Sequence, residues 1–68
     1  MKYKWLIKRP TDKESIPEYL GCYNESFIWV LDVDRAIGFA TEKDAYNFMD
    51  NFAYMTFGSY AVEHGFKI

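Results

Sequence analysis

One cysteine, one histidine and two prolines are all this 68-residue chain holds of the residues that usually staple, catalyse or stiffen a small protein. With Cys22 alone no intrachain disulfide can form, and a single thiol fits a reducing cytoplasm. Structural zinc sites draw on several Cys and His at fixed spacings, so Cys22 and His64 by themselves exclude the common ones. No apolar run approaches the roughly 18–20 residues of a membrane span, and no signal-peptide core is present. The expected location is therefore the cytoplasm, away from membranes. The formal charge is −2, with 8 basic and 10 acidic residues scattered along the chain, so the basic stripe that grips a duplex is missing. No glycine-rich phosphate loop and no nucleophile set beside a base can be found. The chain reads as a non-enzymatic protein without metal or cofactor.

What the chain does have is rings. Two Trp, six Tyr and six Phe make up 21% of it, more than one small core needs. Chains of this length bury only about 60% of their unfolded surface and are marginal in stability. Each ring can bury roughly 150–250 Å², so a few can replace a larger aliphatic core while others remain as a contact surface.

The chain is short enough for a single domain over residues 1–68. Residues 2–8 alternate Lys2, Lys4 and Lys8 against Tyr3, Trp5 and Ile7, with Leu6 breaking the pattern, and predict a half-buried strand. Arg9 to Pro17 carries both prolines and four charges and reads as a loop. Glu18–Cys22 and Ser26–Leu31 are strand candidates joined at Tyr23-Asn24-Glu25, where Asn24 tolerates a positive φ. Gly21 marks a bulge or a close backbone approach. The unbroken apolar run of Ser26–Leu31 suits a central strand or one covered on both faces.

Asp32 is placed to cap a helical turn over Val33–Ile37 that Gly38 would stop. Thr41 then caps the one long helix, with Asp44 three residues on. Ala45, Phe48, Met49 and Phe52 recur at i, i+3, i+4 and i+7 and share one face. The helix is expected to end between Ala53 and Phe57, with Gly58 beyond it. In the last stretch Tyr60, Val62, His64, Phe66 and Ile68 alternate with Ala61, Glu63, Gly65 and Lys67, a terminal strand. The order β-β-β-α-β predicts an α+β fold, a small antiparallel sheet of three or four strands with one main helix on one face. Trp5, Ile28 or Trp29, and Val62 are expected beneath that helix. At least one of the terminal strands would lie at a sheet edge, unless the two pair centrally.

Several constellations resolve into ordinary structure. Asp32-Val33-Asp34 fails as a calcium loop, because the positions taken by Ala36, Ile37 and Lys43 call for other residues. His64, with Glu63 pointing to the other face of its strand, reads as a core or sheet-edge histidine with one hydrogen bond, and Cys22, between Gly21 and Tyr23, reads as a buried or half-buried filler. Tyr3, Trp5, Tyr19, Tyr23, Phe27 and Trp29 lie on strands and could stack single-stranded bases, but Lys2, Lys4 and Lys8 lie across the pleat from Tyr3 and Trp5. The acids of the helical half, Asp32, Asp34, Glu42, Asp44 and Asp50, could imitate a phosphate backbone; a solvated helix face accounts for them equally. That leaves contact with another protein. On a continuous helix Tyr46 and Tyr54 drift only about 80° apart, so Tyr46, Asp50, Tyr54 and Asp44 form a candidate partner-binding flank. A sheet edge is the other candidate, including for a homodimer.

The run Ala36-Ile37-Gly38-Phe39-Ala40-Thr41-Glu42-Lys43-Asp44-Ala45-Tyr46-Asn47-Phe48, preceded by Trp29, resembles a pattern of small phage-encoded accessory proteins. There a Trp-bearing strand leads to A-x-x-F-x-T-x-x-x-A-x-x-F at the opening of a helix. The resemblance covers about a third of the chain and carries no site residues. It implies a host protein as partner, such as a defence nuclease or a polymerase, blocked by contact. A small nucleic-acid-binding module and a self-associating structural protein are the alternatives.

Overall fold

The period-two stretches of the sequence become strands and its period-3.6 stretch a helix. The computed structural model describes residues 2–9 and 16–66. Strand β1 spans Lys2–Lys8, β2 Tyr19–Tyr23, β3 Ser26–Val30 and β4 Tyr60–Phe66; a 3-10 turn covers Val33–Arg35, helix α1 Glu42–Asn51 and helix α2 Ala53–Thr56. The strands form one antiparallel sheet in the order β3-β2-β1-β4, and α1 packs over β1 and β4. This is the expected α+β fold, with the two terminal strands paired, β1 inside and β4 at an edge. Most of the loop anticipated between Arg9 and Pro17 lies outside the described residues, as do Lys67 and Ile68.

Strands β2 and β3 are joined by a two-residue turn in which Asn24 (φ 48°) and Glu25 (φ 64°) are both left-handed. Mirror-image turns of this kind match the twist of the strands, and their second position normally belongs to glycine. Asn24 was legible as such a residue; Glu25 was not.

The Asp32 cap forms, its Oδ1 accepting from the Asp34 N–H at 2.9 Å. The turn nevertheless closes at Arg35, and residues 36–39 run extended rather than helical. They have somewhere to go. Among the described residues, β1 and β2 are paired only where Lys8 meets Tyr19 and the Arg9 N–H reaches the Glu18 carbonyl at 2.9 Å. Beyond that the strands part, and residues 36–39 fill the gap. The Ile37 N–H donates to the Leu20 carbonyl at 2.9 Å, and Trp5 and Phe39 exchange both backbone bonds at 2.8 Å. Backbone groups that the divergence would have buried unpaired are thereby satisfied. Gly21 is the close approach its position suggested. A Cβ there would lie 3.0 Å from the Arg35 carbonyl oxygen and 3.0 Å from a Val30 methyl.

Cross-strand partners share a face of the sheet. Under the helix lie Ile7 and Leu20, fully buried, with Trp5, Phe27, Trp29 and Ala61 around them; α1 adds Ala45, Met49 and Phe48. Trp29 therefore takes the place considered for Ile28 or Trp29. Val62 does not lie under the helix. It pairs with Leu6 on the opposite face, and its neighbour Ala61, opposite Ile7, meets the helix instead. Small residues at Ala45 and Ala61 let α1 sit close to the sheet, which the bulkier row of β4 would prevent. Two further expectations are corrected. β3 is an edge strand rather than a central one, with Ile28 38% exposed, and Cys22 is exposed rather than a buried filler.

Thr41 caps α1 as expected, its hydroxyl accepting the Asp44 N–H at 3.1 Å. The helix is not continuous, however. Phe52 leaves helical geometry at φ −125°, ψ 41°, and a second short helix follows. Thr56, almost fully buried, shares its hydroxyl proton between the Met49 carbonyl at 3.1 Å and the Phe52 carbonyl at 3.0 Å. That hydroxyl supplies part of the bonding the interruption removes. Gly58, at φ 78°, ends the second helix as anticipated.

Candidate functional site

The break at Phe52 decides what the end of the helical segment shows to solvent. Phe52 turns inward against Phe48 (stacked, ring centroids 4.5 Å apart) and Phe27 (edge-on, 5.1 Å). Phe27 also meets Phe48 edge-on at 5.1 Å, and Phe39 closes the group 5.4 Å from Phe48. These four rings tie α1, β3 and the 36–39 segment together, in arrangements aromatic quadrupoles favour.

Two rings are left outside the group. Tyr54 is 82% exposed and Phe57 90% exposed, both at the end of the segment whose helical course Phe52 interrupts. Tyr54 still leans toward Phe52, 6.3 Å between centroids. Beside it is an open cleft of ≈ 420 Å³ lined by Glu25, Ser26, Phe27, Phe52, Tyr54 and Met55. Phe27, Phe52 and Met55 make its walls apolar, Tyr54 stands at one lip, and the left-handed Glu25 of the β2–β3 turn contributes the only charged side chain among the described residues that line it.

Of the residues singled out from sequence, Tyr54 borders this cleft. Asp44, Tyr46 and Asp50 lie on exposed positions of α1, with Tyr46 43% exposed. The angular count linking Tyr46 to Tyr54 assumed an unbroken helix, and it does not carry across Phe52. Glu25, Phe27 and Phe57 were missed as site residues. Phe57 had a signal, since it precedes the terminating Gly58 and falls outside the Ala45–Phe52 stripe. Glu25 had none without the turn geometry.

Among the described residues, no three His, Cys, Asp or Glu side chains are gathered as metal ligands would be, and no helix is long and apolar enough to cross a membrane. Comparison with known proteins finds no matching family model, no matching curated protein and no matching solved structure.

Proposed function

We propose that this chain is a non-enzymatic protein-binding module that acts by occupying a surface of another protein. The observation that carries this reading is the exposure of two rings at the end of the helical segment, Tyr54, which is 82% exposed and lines an apolar cleft, and Phe57, which is 90% exposed. Large exposed rings next to a partly formed pocket are the composition of an interface centre, where Tyr, Trp, Phe and Met are enriched. The cleft has room for apolar side chains of a partner, and Glu25 at its border suits a basic group beside them. Glu25 holds a left-handed conformation in which glycine would be relaxed, and backbone strain of this kind gathers where a side chain is used, which supports a role for its carboxylate. The resemblance to phage accessory proteins makes a host protein the expected partner, with a defence nuclease or a polymerase as examples. Asp44, Tyr46 and Asp50 remain a candidate extension of the contact along α1.

The test is affinity capture from host extract with the immobilised chain, quantified by mass spectrometry against a Tyr54→Ala/Phe57→Ala variant. Rings this exposed contribute little to folding, so the variant should melt within about 0.5 kcal/mol of the parent for each change. Hot-spot aromatics are worth about 2 kcal/mol, roughly thirty-fold in affinity. A protein retained by the parent should therefore be lost from the variant. Equal retention by both would exclude this surface.

A further inference from the structure

The two edges of the sheet differ in how they meet a further strand. β4 carries Glu63, exposed, and a charge on an edge strand discourages pairing. β3 has no such device. Ser26 to Leu31 contains no charge and no proline, and the register with β2 runs from Tyr23 opposite Ser26 to Tyr19 opposite Val30 without a bulge. Ile28 is 38% exposed and Leu31, just past the strand, 58%.

The β2–β3 turn fixes which backbone groups of β3 face outward. A two-residue turn is closed by a hydrogen-bonded pair, here Tyr23 and Ser26, and bonded and non-bonded pairs alternate from there along the ladder. Gly21 with Ile28 and Tyr19 with Val30 are then bonded pairs, whereas Cys22 with Phe27 and Leu20 with Trp29 are not. The Leu20 carbonyl agrees, since it accepts from the Ile37 N–H on the side away from β3. The N–H and C=O of Phe27 and of Trp29 therefore point away from β2, and among the described residues nothing bonds them there. Ile28, between them, faces away from the helix. It lies opposite Gly21, so no β2 side chain stands directly across from it.

We infer that β3 pairs antiparallel with β3 of a second copy of this chain, about a two-fold axis through Ile28. In that register Phe27 faces Trp29 of the second copy and exchanges both backbone bonds with it, and symmetry repeats the pair. Ile28 meets its twin in the non-bonded position between them. The edge is its own complement. Outward donors meet outward acceptors, a Phe ring lies beside a Trp ring, and with no charge from Ser26 to Leu31 the axis brings no like charges together. A strand from another protein would have to supply an equally apolar, uncharged edge, which this chain already carries. The pairing also closes, leaving β4 with Glu63 at each end of the joined sheet. A five-residue strand makes a small interface, so the association belongs with weak, micromolar contacts.

The experiment is sedimentation equilibrium of the whole chain from about 10 µM to about 1 mM, joined to disulfide trapping in a Cys22→Ser background. The mass should rise with concentration from the 8.1 kDa of one chain toward that of two. Ile28→Cys should be trapped as a covalent dimer in a glutathione buffer, because non-bonded partners hold their Cα atoms about 4.5 Å apart, within reach of a disulfide. Ser26→Cys should not be trapped, because it faces Val30 in this register and its own twin lies more than about 13 Å away along the strand. Ile28→Lys sets two ammonium groups on the axis and should weaken association roughly ten-fold or more. Phe57→Ala, which tests the proposed protein contact, should leave the association unchanged. Circular dichroism of each variant checks the fold. The inference is overturned if Ser26→Cys is trapped as readily as Ile28→Cys, or if folded Ile28→Lys associates like the parent. A chain that remains monomeric at about 1 mM also overturns it, and leaves the edge to an extended segment of another protein.

Discussion

Replacing Glu25 by glycine should make this protein more stable. Glu25 occupies the second central position of the β2–β3 turn at φ 64°, where a residue with a Cβ is strained by roughly 1–2 kcal/mol. Glycine removes that strain but loses more backbone freedom on folding, a cost of about 0.5–1 kcal/mol. Glu25 is exposed, so little packing is lost with its side chain. The net gain should be about 0.5–1 kcal/mol, and for a chain of this size that corresponds to a rise in Tm of several degrees, at about 4–8 °C per kcal/mol. Thermal melts followed by circular dichroism, with urea titrations to confirm an unchanged m-value, measure it directly. A Glu25→Gly protein that melts below the parent would refute the strain argument, and with it the support that a strained carboxylate lends to the binding reading. If Glu25 faces a basic group on a partner, the same substitution should weaken that complex while stabilising the free chain.

Two other perturbations test the packing. Phe48→Ala removes the ring that meets Phe27, Phe39 and Phe52 and should cost about 3 kcal/mol, much of the roughly 5 that a small domain possesses; a loss below about 1 kcal/mol by urea titration would mean the ring group is not a structural centre. Gly21→Ala drives a methyl against the Arg35 carbonyl and Val30 and should cost about 1–3 kcal/mol, with partial recovery when Val30→Ala is added; no recovery would place the conflict at the carbonyl alone.

The elements that were legible in the sequence are those whose signal is local. Thr41 with the Ala45–Met49 spacing marks a capped amphipathic helix, Asn24 marks a hairpin turn, and Gly58 marks a helix end. The rest depended on competition between distant residues. Ala61 and Val62 both offered β4 an apolar row, and only the closeness of the helix favours the smaller. Residues 36–39 looked like the continuation of a capped turn, yet the parting of β1 and β2 needed donors and acceptors there. No glycine or proline announces the break at Phe52, which is accommodated by the Thr56 hydroxyl and by the pull of Phe52 into the ring group. Tyr54 could be named as a surface ring because it lies off the helical stripe. Its cleft could not, since Phe27 and Glu25 come from a hairpin about thirty residues away in the chain.

The proposal of a protein contact at the end of the helical segment is tested most directly by hydroxyl-radical footprinting of the chain, free and in complex with the protein it captures. The account predicts that Tyr54 and Phe57 are strongly protected in the complex while Tyr60 on the far face of the sheet is modified as in the free chain. Unchanged modification of Tyr54 and Phe57 within a stable complex would contradict it.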